Sequence, residues 1–318
     1  MKTNKILAAA VAALFSASAA NAEISLAENL TLSGYIDGSY SNLDSDNPLV
    51  TGDELGVDEL ELDFAFSGET ISAEVHLDNV RGAGADEFGV EQAYVAYNLG
   101  NGLSISGGRL ENSLGFEEDE NPELYQNSYA YNNTGDGSGV SALGQRYNNG
   151  IRASYTSDAF SVSLAGFDQL WGNATAGDLD LAYEVFATYT GVENLTLAIG
   201  YGEDDNSVLD EVSEALNLWA QYEQGSITVA AEYSDLESAA GTDGDHYLIL
   251  ANYAFSEKGA ITVRYSEQEW DGGAEFDKFT ISPGYAVTDN LWALIEYSTG
   301  EADGNDYDYF AVETTFTF

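Results

Sequence analysis

Between residues 56 and 67 the chain sets Leu60, Leu62, Phe64 and Phe66 on one parity and Glu59, Glu61 and Asp63 on the other. Side chains of an extended strand point alternately to opposite faces, so such a segment makes a strand that is apolar on one side and charged on the other. The same alternation recurs in sixteen segments, at about residues 30–41, 56–67, 70–80, 88–99, 102–110, 146–156, 159–168, 179–190, 193–203, 214–224, 226–235, 245–256, 259–269, 275–287, 290–299 and 306–318. It persists to the end of the chain, where Phe310, Val312, Thr314, Phe316 and Phe318 share one face and Ala311, Glu313, Thr315 and Thr317 the other. A soluble sandwich would show apolar faces too; what separates the two is the other parity, on which Glu61, Asp63, Glu74, His76, Asp78, Glu184, Glu232 and Glu296 all fall mid-strand. An apolar core rejects so many charges. A sheet rolled shut, with its apolar face in lipid and its polar face around water, accommodates both, and lipid demands the closure because it offers no partner to a free strand edge. The pattern therefore predicts an all-β fold, a transmembrane antiparallel up-and-down β-barrel of about 16 strands, wide enough to enclose water.

The connections support this reading. Short ones fall at 67–69, 100–101, 157–158, 191–192, 224–225, 256–258 and 288–289, and those between them are generally longer and more acidic. Outer-membrane barrels have short periplasmic turns and long extracellular loops, and an even strand number puts both termini on the periplasmic side. The phrases AENLTL (27–32), NGLSI (101–105), VENLTL (192–197) and TDNLWAL (288–294) each open a strand in the same register and read as hairpin punctuation. Tyr40, Tyr97, Tyr155, Tyr189, Tyr201, Tyr222, Tyr253, Phe255, Tyr285 and Phe318 lie near strand ends, where rings favour the headgroup region.

The start of the chain reads as an export signal: Lys2 and Lys5 precede an apolar run from Ile6 to Phe15, and Ala20-Asn21-Ala22 supplies the small residues of a cleavage site. The expected organisation is a cleaved segment 1–22 followed by a single barrel domain 23–318, with one long loop at 111–145. That run is shorter than the about 20 residues of a membrane-spanning helix, and nothing after Glu23 approaches the requirement. An exported barrel points to the outer membrane of a Gram-negative cell. There is no cysteine, which removes thiolate chemistry and any disulfide scaffold. The formal charge of −46 excludes nucleic acid as a partner.

The stretch VEQAYVAYNLGNGLSISGGRLENSLGFEEDENPELY, Val90 to Tyr125, joins a Q-A-Y strand, a tight turn and a G-R strand to a long loop with a G-F-E step. In this it resembles Gram-negative outer-membrane porins, and more narrowly the OmpL-like β-barrel porins. The export signal, repeated hairpins and terminal Phe318 extend a looser likeness over the whole chain. The resemblance implies passive diffusion of small hydrophilic solutes and ions, contact with outer-membrane lipid and lipopolysaccharide, and often a homotrimer. A barrel that does not transport, and acts in adhesion, envelope stability or as a surface receptor, is the alternative.

The resemblance also implies that the loop 111–145 folds inward and narrows the pore, whereas its residues alone suit a solvated extracellular loop equally. It carries Glu117, Glu118, Asp119 and Glu120, with Glu123 and Asp136. Parity places Arg146, Arg152, Arg264 and Lys278 in the lumen, and puts Arg109 on the lipid-facing register of Leu103 and Ile105 unless a bulge at Gly107-Gly108 re-aims it. Two arrangements fit these charges. The loop carboxylates and the guanidiniums of Arg146 and Arg152 could set up a transverse field, as at a charged constriction; or each base neutralises neighbouring lumen acids, the preferred reading for Arg264 and Lys278. Lumen acids on the strands (Asp37, Glu59, Glu61, Asp63, Glu74, Asp78, Asp180, Glu184, Glu223, Glu232, Glu296 and Glu313) outnumber the bases, so cations are the expected preference. Salt adaptation of the whole surface would give the same composition.

Other chemistry is poorly provided for. Asp44-Ser-Asp46 opens like a calcium loop but lacks the glycine and glutamate that should follow, leaving only loose cation binding at loop acids such as Asp243, Asp245, Asp303 and Asp306. His76 lies between lumen acids, and His246 follows Asp245, a possible hydrolytic pair without a nucleophile motif. No cofactor, no metal site and no enzymatic activity are expected.

Overall fold

The computed structural model describes residues 23–47, 51–79, 88–117, 122, 124–131, 143, 147–171, 181–205, 207, 212–273 and 275–318. Seventeen strands run in chain order: β1 Ile24–Ala27, β2 Leu30–Ser45, β3 Gly52–Ser67, β4 Ile71–Asn79, β5 Phe88–Gly100, β6 Leu103–Glu111, β7 Tyr147–Thr156, β8 Phe160–Phe167 and β9 Ala182–Val192. They continue as β10 Leu195–Glu203, β11 Val212–Gln224, β12 Ile227–Ser238, β13 Asp243–Ala254, β14 Gly259–Trp270, β15 Glu275–Ala286, β16 Leu291–Ala302 and β17 Asn305–Thr317. No α-helix occurs among the described residues.

From β2 to β17 each strand pairs antiparallel with the next. The last, β17, pairs back with β2, which closes a ring of sixteen strands. The short β1 was not expected, because four residues are too few for alternation to register. It folds back on the start of β2, Ile24 opposite Leu32, and β17 takes over as the partner of β2 from Tyr35 onward. At the handover Gly34 and Phe318 exchange both backbone hydrogen bonds, each 3.0 Å. A Cβ at Gly34 would lie 2.2 Å from the Glu61 carbonyl oxygen, so this close approach requires glycine.

Alternation sets the radial direction. Ile151, Leu164, Ile199, Ile249, Phe310 and Val312 are exposed on the outside, while Ala311, Glu313 and Thr315 between the last two and beyond are buried inside. Two tight turns, Asn101-Gly102 within the NGLSI phrase and Asp303-Gly304 on the side expected to carry the longer loops, take positive φ at both central residues (54° and 83°, 50° and 75°), the twist that a two-residue hairpin favours. Around the short-turn rim Tyr97, Tyr189, Tyr222, Tyr253, Phe255 and Tyr285 are exposed rings. At the opposite rim the hydroxyls of Tyr40, Tyr233, Tyr265 and Tyr297 donate to Asp53, Asp245, Glu267 and Asp308 at 2.9, 2.6, 2.8 and 2.6 Å.

The strands near the chain start run longer than alternation indicated, β2 to Ser45 and β3 from Gly52, because SNLDS and GDEL, mostly polar with a single leucine each, still pair. Two strands bulge in mid-course: the register shifts between Asp37 and Gly38 against β3, and between His76 and Leu77 against β5. No bulge forms at Gly107-Gly108, where β5 and β6 pair without a shift. Arg109 keeps its outward register, and its Nε donates to the Glu91 carbonyl at 2.6 Å.

Candidate pore constriction

The connection after β6 enters the barrel. Its described residues lie buried against the inner wall, Leu114 and Ala130 completely and Phe116, Leu124 and Ser128 nearly so. They meet the wall strand by strand. The Ser113 amide donates to Glu184 of β9 at 2.7 Å, the Gly115 amide to Asn217 of β11 at 3.2 Å, and the Phe116 amide to Glu232 of β12 at 2.7 Å. Between the first two, Leu114 settles over β10, where Gly200 and Gly202 leave a hollow: a Cβ on Gly200 would come within 2.4 Å of the Leu114 side chain. The Phe116 ring meets Trp219 edge-on, with centroids 5.7 Å apart.

A second arm crosses the far side. The Asn127 and Ser128 amides donate to Glu296 of β16 at 2.8 and 3.2 Å, and the Asn127 side chain reaches Glu313 of β17 at 3.1 Å. Tyr309 donates to Asn127 at 2.5 Å. Between the arms stand two cations. Arg264 of β14 binds Glu117 and donates to the Ser128 carbonyl at 2.6 Å; Lys278 of β15 donates to the Ser128 hydroxyl at 3.2 Å and to the Tyr129 carbonyl. Glu117 in turn accepts the Ala130 amide at 2.7 Å, tying the arms together. Tyr131 donates to Glu232 at 3.1 Å and stacks on His246, with centroids 4.7 Å apart. Burial first, and the Glu232 carboxylate second, push its phenol well above the ordinary value, so it stays protonated as the donor.

The connection after β8 also turns inward: the Leu170 and Trp171 amides donate to the buried Asp204 at 2.6 and 3.2 Å. With Leu110, Leu114, Phe116, Leu143, Phe167, Trp219, Leu236, Leu248 and Leu250, these residues form an apolar core inside the barrel. Its existence corrects one expectation. Glu184, Glu232 and Glu296 do sit mid-strand on the inner face, but there peptide amides of the loop donate to them.

The inner face of β2–β5 is different. Asp37, Glu61 and Asp78 are buried there, and Asp63, Glu74 and His76 remain partly open, at 22%, 28% and 20% side-chain exposure.

Of the residues singled out in the sequence, Arg264, Lys278 and Glu117 converge on one point, and Glu61, Asp63, Glu74 and Asp78 gather on the β3–β4 wall. Among the described residues Arg152 meets no loop carboxylate. It pairs with Glu184 at 3.2 Å, donates to the Glu111 carbonyl and lies 5.7 Å over the Phe167 ring. Glu118, Asp119, Glu120 and Arg146 lie outside the described residues. The Asp245–His246 pair does not form, because neighbours on a strand face opposite ways: Asp245 reaches Tyr233 outside and His246 is buried inside. Sequence reasoning missed Asn217, Ser128, Asp204, Gly200 and Gly202; parity alone put the first and the two glycines on the inner face, but nothing in the pattern paired them with the loop.

The family model described as Gram-negative porin matches residues 8–305. Among curated proteins none matches this chain. Similar solved structures include OmpF of Salmonella typhi in complex with daunomycin (14% identity, 93% of this chain and 100% of that one, TM-score 0.68). An anion-selective porin from Comamonas acidovorans is comparable (14%, 91% and 99%, TM-score 0.67). So is the trimer form of in-vitro folded OmpT of Vibrio cholerae (13%, 92% and 100%, TM-score 0.62). The narrower likeness to OmpL-like porins gains no support from these comparisons. A closed sixteen-strand barrel with an inward connection, matched by that model over nearly its whole length, is a member of the Gram-negative porin family of the outer membrane.

Proposed function

We propose that this outer-membrane channel passes small hydrophilic solutes and ions by diffusion and prefers cations. The observation that carries the preference is the division of the inner wall. Arg152, Arg264 and Lys278 are occupied by Glu184, by Glu117 and by loop carbonyls, whereas the β2–β5 face keeps Asp63 and Glu74 partly open. A passage whose open wall is acidic gathers counter-ions and repels anions. In this reading Arg264 and Lys278 are anchors of the constriction loop, and the selectivity of the passage comes from Asp63, Glu74 and their neighbours. Roles for Glu118, Asp119, Glu120 and Arg146 at the constriction belong to the same proposal and rest on sequence alone.

Residues 1–22 serve as the cleaved export signal, the short turns face the periplasm, and the channel works without cofactor or covalent chemistry. A homotrimer embedded among lipid and lipopolysaccharide is the proposed assembly, supported by the trimer form of the Vibrio relative. Reversal potentials across a planar bilayer in a potassium chloride gradient test the central point. Potassium preferred over chloride is the expected result; chloride preferred, or no current, overturns it.

A further inference from the structure

Asp63 of β3 and His76 of β4 stand directly opposite each other, and Glu61 lies two residues along β3 on the same inner face. His76 Nδ1 is 3.1 Å from Glu61 Oε1 and 3.5 Å from Asp63 Oδ1, and its Nε2 is 3.6 Å from Glu74 Oε2. An imidazole N–H donating to a carboxylate spans about 2.7–3.2 Å, so the Glu61 contact is of hydrogen-bond length and the Asp63 and Glu74 contacts are longer. Donors that share one metal at about 2.0–2.2 Å, with angles between octahedral and tetrahedral, are separated by roughly 3.0–3.5 Å. Taken together the two Nδ1 distances also fit the second geometry, and the ligand atoms of Glu61, Asp63 and His76 all lie within 4.8 Å of one another. A neutral imidazole has one acceptor nitrogen, and here that nitrogen can face two carboxylates at once.

The surroundings suit a built site. Glu61 is held in the wall at 1% exposure, while Asp63 and His76 at 22% and 20% leave an aqueous approach. The two mid-strand bulges lie on either side, one in the β2–β3 pair and one in the β4–β5 pair beside His76 itself; bulges re-aim side chains next to functional sites. The imidazole nitrogen separates this group from a plain acidic patch: magnesium and calcium take oxygen ligands, whereas mixed nitrogen and oxygen sets suit zinc and its neighbours.

We propose that Glu61, Asp63 and His76 Nδ1 bind a late first-row divalent cation of the zinc class. Its place on the wall of a conducting passage rests on the function proposed above; the binding itself does not. The test is a titration of the refolded full chain in detergent with Co²⁺, followed by visible absorption, then displacement by Zn²⁺. One saturable site per chain is expected, at least about tenfold weaker in His76→Gln and in Glu61→Gln, since even outer partners of metal ligands are worth that much. Glu267→Gln, on the outer face, should bind like the parent. Each variant is checked for folding by its heat-modifiable gel mobility, and Asp63→Asn replaces any that fails. Equal binding by the parent and His76→Gln means an adventitious cation only and overturns the proposal, as does the lack of a saturable site. A barrel that binds Co²⁺ through His76 but carries no current removes the channel reading alone; a conducting barrel that does not bind removes the site alone.

Discussion

The two sides of the barrel interior use the same residue types for opposite ends. On β9–β17, Glu184, Glu232, Glu296 and Glu313 each accept a hydrogen bond from the loop, and Arg264 and Lys278 hold its carbonyls and Glu117. On β2–β5, Asp63 and Glu74 surround a histidine and stay partly open. A carboxylate in a barrel strand is thus either a hook for a peptide or a charge offered to the passage, and only the neighbouring backbone decides which. Burying an acid costs several kcal/mol unless it is paired or hydrogen-bonded, and on β9–β17 the loop amides supply that compensation.

Removing Arg264 should disturb the first side most. Arg264→Ala leaves Glu117 buried without its cation, a change of roughly 3–5 kcal/mol. The loop should then detach, read as protease cleavage within 112–131 and as noisy, enlarged single-channel current. Unchanged protection would separate the loop from this anchor. A smaller effect, about 1–3 kcal/mol, is expected for Gly200→Val, which fills the hollow that seats Leu114; thermal unfolding in detergent measures it, and an unaltered midpoint would mean the hollow is not occupied. The contrast is sharpest at Glu74→Gln on the other side. Stability should change by no more than about 0.5 kcal/mol, while the reversal potential moves toward chloride. A large loss of stability there would make β2–β5 a packed wall like its counterpart.

The strands were legible because their two-residue period is written in side-chain hydropathy: sixteen segments, of which the Leu60–Phe66 stretch is the clearest, coincide with β2–β17. What the period cannot express is contact across the interior. It puts Glu61 and Glu296 on the inner face alike, though one meets His76 and the other two loop amides. The pairing of Arg264 with Glu117 spans 147 positions, and the seat of Leu114 depends on missing side chains at Gly200 and Gly202, so neither leaves a local trace. Arg152 illustrates the converse: its face followed from parity, but its partner, Glu184, depends on where the neighbouring strands bring their acids.

Because the chain has no cysteine, a single introduced thiol reports its own surroundings. Charged methanethiosulfonate reagents applied to open channels of Glu74→Cys and of Ser298→Cys, the latter fully buried on the inner face of β16, probe the two sides directly. Rapid modification and a step in current at position 74, with position 298 silent, is the outcome expected of a passage running along β2–β5. Equal reaction at both positions, or reaction at 298 alone, would contradict the division of the wall.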